Sequence, residues 1–256
     1  MCTRITVKDC AIPAAFSGMR IALLSDLHGK WFGRGQRRIL DLLAGAHPDL
    51  VALTGDLIDD DHLNGEAAMA LVRGATAIAP SVFVPGNHEA QLPGEYSRLR
   101  RRMEGAGCRV LGNESMTLCR DSGRIQIVGI KDPEFVADTN RMISGLIAGQ
   151  FLRIAQRGCE GASYRILLAH RPELVATYNR AGMDLVLSGH AHGGQWRVGS
   201  QGVFAPGQGL LPLFTGGLYR IGDTSLVVSR GLGNIFPVRI NNRPEVVLIT
   251  LETLAT

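Results

Sequence analysis

Short, continuous apolar runs recur along the chain and predict strands that are buried on both faces. A strand covered on both sides has no solvent-facing positions, so its sequence lacks the alternation of apolar and polar residues seen in half-exposed strands. Five runs of four to six residues have this character: residues 20–25, 50–54, 82–85, 166–169 and 185–188. Each predicts one buried strand.

Helical patterns lie between several of these runs. Apolar residues from Ile39 to Ala46 recur at the i, i+3, i+4, i+7 spacing that places them on one helix face. Residues 67–78 and 172–181 also have helical patterns, and Pro172 suits a first helical turn. The first half of the chain therefore predicts the order β-α-β-α-β.

The second half is predicted to be richer in strands and turns. Two short strands flank a polar turn at residues 121–123, and further strands are predicted after His192, at residues 218–221, 226–229 and 246–250. Two facing sheets with helices outside would bury all of these runs. The length of 256 residues suits one large domain better than two. We therefore expect an α/β fold in a single domain, residues 1–256.

Residues 198–219 contain no charged side chain but include six glycines and two prolines. The glycines and prolines prevent a continuous helix, so this segment cannot span a bilayer. Two interpretations of this segment stay open. We favour a buried loop, and the alternative is an apolar lid or interfacial patch.

Composition narrows the cellular context and the class of partner. The net charge of +4 favours anionic partners without indicating nucleic acid. The basic run at residues 98–102 carries an apolar helical stripe and indicates a solvated helix face, with phosphate or membrane contact as the alternative. The five cysteines, Cys2, Cys10, Cys108, Cys119 and Cys159, have no paired spacing and indicate a reducing compartment. Residues 1–18 contain no apolar run typical of a signal peptide. We expect a cytoplasmic protein, with peripheral membrane contact as the alternative.

Five blocks of metal-capable residues each follow a predicted strand. The blocks are Asp26-Leu27-His28, Gly55-Asp56, Gly86-Asn87-His88-Glu89, His170, and Gly189-His190-Ala191-His192. One such block alone would more often be structural, but five at strand ends favour a common site. Carboxylate oxygens and imidazole nitrogens together suit Zn²⁺, Mn²⁺ or Fe ions better than Ca²⁺. A carboxylate with two oxygens, such as that of Asp56, can bridge two ions.

These blocks resemble the motifs of the calcineurin-like metallophosphoesterases, which run D-x-H, G-D, G-N-H-E/D, H and G-H-x-H. The resemblance implies a four-layer α/β/β/α sandwich of two mixed sheets with flanking helices. It implies two metal ions (Mn, Fe or Zn), the first held by Asp26, His28, Asp56 and His192, and the second by Asp56, Asn87, His170 and His190. Residues 229–231 and 243–245 are similar to a bacterial membrane-associated phosphodiesterase-like subgroup.

The activity implied by the resemblance is hydrolysis of a phosphodiester or pyrophosphate substrate through a metal-bridging hydroxide. His88 is the implied catalytic residue, which donates a proton or hydrogen bond to the leaving oxygen. Glu89 is expected to orient a neighbouring group. Arg230 suits either a substrate phosphate or a structural ion pair, and we leave it outside the site.

Two alternatives to this activity stay open. The first is a lipid-linked, UDP-diacylglucosamine-type pyrophosphohydrolase, which is motivated by the uncharged residues 198–219. The second is a metal-binding interaction scaffold without catalysis, because a complete ligand set can also hold a metal for structural reasons.

Overall fold

Two six-stranded mixed sheets form the centre of the fold. The structure is a computed structural model, and it describes residues 1–59, 65–137, 141–157, 161–233 and 238–254. The first sheet has, in spatial order, β1 (Cys2–Asp9), β16 (Val246–Thr253), β2 (Arg20–Leu24), β3 (Leu50–Leu53), β4 (Ser81–Phe83) and β5 (Arg109–Val110). Strands β2 to β5 are parallel, whereas β16 runs antiparallel to β2.

The second sheet faces the first and has the same number of strands. Its spatial order is β14 (Gly217–Ile221), β15 (Thr224–Val228), β9 (Leu185–Ser188), β8 (Tyr164–Leu168), β7 (Gly123–Gly129) and β6 (Glu114–Arg120). Strands β15, β9, β8 and β7 are parallel, and antiparallel strands β14 and β6 form the two edges.

The described ranges contain six α-helices. They are α1 (Arg37–Ala46), α2 (Glu66–Ile78), α3 (Asn87–Gln91), α4 (Pro93–Gly105), α5 (Arg141–Ala155) and α6 (Val175–Arg180). All but α3 cover the outer faces of the sheets. Side chains of α1, α2 and α4 pack on the first sheet, those of α5 and α6 pack on the second, and a third cluster fills the space between the sheets. The expectation of a four-layer α/β/β/α sandwich is therefore confirmed.

The five apolar runs predicted to be buried strands correspond to β2, β3, β4, β8 and β9. The sequence patterns did not predict β1 or α5. Strand β1 is mostly half-exposed, and its one fully buried residue is Val7. Because β1 pairs along its whole length with β16, at the other end of the chain, it depends on a contact that no local pattern contains.

The uncharged segment 198–219 is not a buried loop, so the favoured interpretation is wrong for much of its length. It contributes to two small hairpins, β10 (Arg197–Val198) with β11 (Gln201–Gly202) and β12 (Phe204–Ala205) with β13 (Gly209–Leu210). Between 69% and 78% of the residue surface is exposed at Val198, Leu210, Leu211 and Leu213. Ala205 and Thr215 of the same segment are buried.

Two further observations concern the expected cellular context. No helix in the described part of the chain combines the length and apolar character needed to cross a membrane. Cys2, Cys10, Cys108 and Cys119 are free thiols, and Cys159 lies outside the described residues.

The layered core predicts that truncation of two leucines lowers the free energy of unfolding by different amounts. Leu187 is fully buried between the sheets, whereas 76% of Leu213 is exposed. We expect Leu187→Ala to lower the free energy of unfolding by about 2–5 kcal/mol, because it leaves a cavity between two sheets. Leu213→Ala, the matched control, should change it by less than about 0.5 kcal/mol. Urea unfolding measures both, and equal effects would contradict the assigned layers.

Candidate metal centre

The metal-capable blocks all lie where strands of the two sheets end. Strands β2, β3 and β4 are adjacent and parallel, and the loops after them carry Asp26, His28, Asp56 and Asn87. Strands β8 and β9 are adjacent in the other sheet and precede His170, His190 and His192. Because parallel strands end at the same edge of a sheet, five distant segments meet at one place.

Direct contacts join these strand ends across the sandwich. The backbone N–H of His190 donates to Asp26 Oδ1 at 3.0 Å, so a loop of the second sheet is bonded to a loop of the first. Nδ1 of His170 lies 2.6 Å from the Thr54 carbonyl oxygen and makes a second connection. A side chain at Gly189 would have its Cβ 1.8 Å from Ser25 Oγ, so the close approach requires glycine.

Five of the predicted ligands have left-handed backbone conformations. Their φ angles lie between 47° and 63°, and the residues are Asp26, His28, Asp56, His190 and His192. Residues other than glycine rarely adopt this region, and each such residue costs on the order of 1–3 kcal/mol. Backbone strain of this kind typically accumulates at functional sites.

The aspartates and histidines form groups small enough to surround an ion. Three ligand atoms lie within 4.8 Å of one another in each of three groups, which are Asp26–His28–His192, Asp56–His170–His190 and His28–Asp56–His88. Asp56 Oδ2 lies 3.0 Å from His170 Nε2 and 4.0 Å from His28 Nε2. Asp56 therefore lies between the first two groups, as a bridging ligand would.

Several candidate ligand atoms are buried without a hydrogen-bond partner among the described residues. These atoms are His28 Nε2, Asn87 Oδ1, His190 Nε2 and both ring nitrogens of His192. An unpartnered buried polar atom is costly, and coordination of a metal ion would satisfy it. The residues present therefore fit a metal centre of mixed nitrogen and oxygen ligands.

The electrostatics of the site favour neutral imidazoles at two positions. Burial holds the pKa values of His190 and His192 well below their usual range, so both are in the deprotonated form that binds metals. Burial alone would raise the pKa of Asp56, but the charge and hydrogen bond of His170, together with the charges of His88 and His28, lower the net pKa. Burial alone would lower the pKa of His170, but the charge and hydrogen bond of Asp56, together with the charges of Asp26 and Asp132, raise it to about 10.

Glu89 holds two ligand-bearing loops together. Its Oε2 accepts hydrogen bonds from the backbone N–H groups of Asp56 and Gly86, both at 2.8 Å, and its Oε1 accepts one from Leu57 at 2.8 Å. The fully buried carboxylate thereby ties the loop after β3 to the start of α3. Glu89 thus orients its neighbours, as the sequence predicted.

His88 is the most accessible imidazole of the cluster, with 18% of its side chain exposed. Its backbone N–H donates to Asp56 Oδ1 at 3.0 Å, and its ring stands edge-on to His28 with centroids 4.7 Å apart. His88 Nε2 lies 4.0 Å from Asp56 Oδ2. The position suits contact with a substrate, although the distances also allow His88 to act as a ligand.

The structure adds a salt-bridge network that sequence reasoning missed. Arg171, directly after His170, donates through Nε to Asp132 Oδ2 at 2.7 Å and also pairs with Glu134. Its Nη1 lies 3.7 Å from Glu173 Oε1, which in turn lies 3.9 Å from His190 Nε2. Two features of the sequence could have indicated this network. Arg171 lies beside a predicted ligand, and Asp132 follows shortly after an apolar strand.

Groups of aspartate and histidine side chains at the strand ends of the two facing sheets form a candidate metal centre. The chain belongs to the calcineurin-like phosphoesterase family, whose sequence model matches residues 19–194. The matched region contains every predicted metal ligand. The resemblance inferred from the motifs is therefore confirmed.

Relatives from several organisms align with nearly the whole chain. The uncharacterized metallophosphoesterase YkuE of Bacillus subtilis is 29% identical, and the alignment covers 98% of this chain and 85% of the relative. The phosphodiesterase YaeI of Escherichia coli is 30% identical, with 95% and 84% covered. A transmembrane protein with metallophosphoesterase domain from Danio rerio is 31% identical over 94% of this chain but only 55% of its own length.

Solved structures share the fold at low sequence identity. The Thermus thermophilus protein TT1561 superposes with a TM-score of 0.55 at 15% identity, covering 84% of this chain and 90% of that one. The sulfate thiohydrolase SoxB from the same genus also gives a TM-score of 0.55, at 14% identity, over 95% of this chain and 58% of SoxB. These similarities support the sandwich architecture.

The hydrogen bonds to Glu89 predict that the nearly isosteric substitution Glu89→Gln strongly destabilises the fold. Glu89→Gln places amide hydrogens against backbone N–H donors, so we expect the free energy of unfolding to fall by about 3 kcal/mol. The matched control is Glu95→Gln, which removes a surface pair with Arg98 and should cost less than about 1 kcal/mol. Urea denaturation measures both variants. A loss at Glu89 no greater than that at Glu95 would show that the carboxylate does not hold the two loops.

Proposed function

We propose that the protein hydrolyses a phosphodiester or a pyrophosphate with the help of two bound metal ions. One ion would be held by Asp26, His28, Asp56 and His192, and the other by Asp56, Asn87, His170 and His190. The position of Asp56 between two aspartate–histidine groups is the observation that carries this proposal. Metal ions held there would lower the pKa of a bound water and polarise the phosphoryl oxygens.

The chain itself supplies orientation and a proton donor. Glu89 and the cross-sheet bond from His190 to Asp26 hold the ligand side chains in place before substrate arrives. His88 extends from the start of α3 toward the accessible side of the cluster, where its imidazole would donate a hydrogen bond or proton to the leaving oxygen. The name of the relative YaeI, a phosphodiesterase, supports a diester-type substrate.

A lipid-linked pyrophosphate is the second candidate substrate, and the exposed leucines of residues 198–213 favour it. These side chains would contact lipid at the membrane surface while the phosphate groups reach the metal centre. The UDP-diacylglucosamine type remains one form of this hypothesis. Flotation with neutral and acidic vesicles tests it, and absence of binding to both would contradict lipid contact.

Substitution of the bridging carboxylate tests the two-metal proposal. We expect Asp56→Asn to lower kcat/KM on bis-p-nitrophenyl phosphate by more than about 1,000-fold and to reduce metal content, because one ligand to both ions is weakened. Asp41→Asn is the matched control, since Asp41 lies on the exposed face of α1. Metal analysis and activity are measured after reconstitution with Mn²⁺, Fe²⁺ or Zn²⁺. Full activity in Asp56→Asn would contradict the two-metal proposal. If the parent protein binds two ions but turns over no phosphoester, the hypothesis of a metal-binding interaction scaffold is favoured instead.

Substitution of His88 separates catalysis from metal binding. We expect His88→Asn to keep the metal content of the parent protein and to lower kcat about 100-fold or more, because asparagine cannot donate a proton. His47→Asn, at the exposed end of α1, controls for the loss of a histidine. Unchanged kcat would exclude a catalytic role, and a loss of metal would identify His88 as a ligand instead.

A further inference from the structure

Arg239 has a buried guanidinium edge without a partner among the described residues. Its Nη1 donates to the Arg230 carbonyl oxygen at 2.9 Å, whereas Nε and Nη2 make no hydrogen bond to the described part of the chain. Nε and Nη2 donate in the same direction and form the edge with which arginine binds a carboxylate or phosphate through two parallel bonds. The free edge is therefore the one suited to an anion.

The segment that carries Arg239 is fixed beside the metal centre. Asn242 Nδ2 donates to the His192 carbonyl oxygen at 2.7 Å, and the N–H of Arg197 donates to the Ile240 carbonyl oxygen at 3.0 Å. On the other side of Arg239, the indole N–H of Trp196 donates to the Val238 carbonyl oxygen at 3.0 Å. Hydrogen bonds to backbone carbonyl groups therefore hold the chain on both sides of Arg239 against residues 192–197.

The contact of Arg239 with Arg230 connects it to the other half of the site. Arg230 begins a loop whose Gly233 N–H donates to the Asp26 carbonyl oxygen at 2.5 Å. A Cβ added at Gly231 in the same loop would lie 2.8 Å from Asp26 Cβ, so the loop packs directly on this ligand. Arg239 is thus anchored to the segments of both Asp26 and His192.

Two other buried arginines near the centre have protein acceptors, and Arg230, whose Nε also lacks a hydrogen bond, lies 3.5 Å from the Glu245 carboxylate. Arg171 pairs with Asp132 and Glu134, and Arg197 donates to the Gly193 carbonyl oxygen and Thr215 Oγ1. Burial lowers the pKa of Arg239 to about 10, so the side chain still carries its charge at neutral pH. A buried charge with an open bidentate edge is costly unless a ligand completes it.

We propose that Arg239 binds a second anionic group of the substrate, beside the phosphoryl group that reacts. This inference rests on the proposed function, in which the metal ions bind the oxygens of the reacting phosphoryl group. An arginine does not bind metal ions, and a separate anion such as the adjacent phosphoryl group of a pyrophosphate would complete the free edge of Arg239. The subsite favours pyrophosphate-type substrates over simple diesters.

Binding of two unreactive anions tests this subsite directly. Isothermal titration of the metal-loaded protein with imidodiphosphate, which has two phosphoryl groups, is compared with titration with inorganic phosphate, which has one. We expect Arg239→Gln to weaken imidodiphosphate binding about 10- to 100-fold and phosphate binding less than threefold, because a bidentate charged contact is lost. Arg239→Lys should restore part of the loss, since it keeps the charge without the fork.

Arg243→Gln is the matched control, because Arg243 is an exposed arginine of the same segment, and it should leave both affinities unchanged. Equal weakening for both anions, no weakening, or a loss of metal content in Arg239→Gln would overturn the proposal. Kinetics give a second readout: KM for a nucleoside diphosphate sugar should rise about 10-fold or more, with kcat/KM on bis-p-nitrophenyl phosphate within about twofold. If the parent protein hydrolyses neither substrate, the proposed function fails, while the titrations still test the subsite.

Discussion

The hydrogen bond from the His190 backbone to Asp26 joins the two sheets where the site forms, and the other features of the site depend on this approach. Facing sheets normally lie about 10 Å apart, so their loops meet only where the chain leaves the strands and small residues allow contact. Glycine at position 189 provides that space against Ser25. The left-handed backbone of Asp26 and His190 follows, because each loop must turn sharply to bring its side chain into the shared space.

Close approach also concentrates charge in a buried region. Two carboxylates and four imidazoles are nearly completely buried there, and their protonation states differ because their neighbours differ. His170 faces Asp56 and has a raised pKa, whereas burial keeps His190 and His192 neutral. Backbone donors to Glu89 add fixed positive partial charges behind Asp56. The folded chain thus carries the strain and the desolvation of a preorganised metal centre, which coordination would offset.

Segments near the carboxyl terminus extend this centre outward. The hairpins of residues 197–210 and the segment around Arg239 are both bonded to the turn of His192, since Val203 N–H donates to Gly194 and Asn242 donates to His192. The hairpin segment presents exposed leucines, and the segment around Arg239 presents the edge of its guanidinium group. Both segments therefore share one anchor with a predicted metal ligand.

The sequence by itself determined the central strands and the order of the candidate metal ligands, because buried strands and the residues that follow them are local patterns. It also predicted the orienting role of Glu89 from its place after the G-N-H motif. Only the tertiary structure decided that β1 pairs with β16, that Leu210 and Leu213 are exposed, and that Arg239 has an open edge near His192. Those features arise from contacts between residues far apart in the chain, and whether a side chain is buried or paired depends on which distant segments surround it.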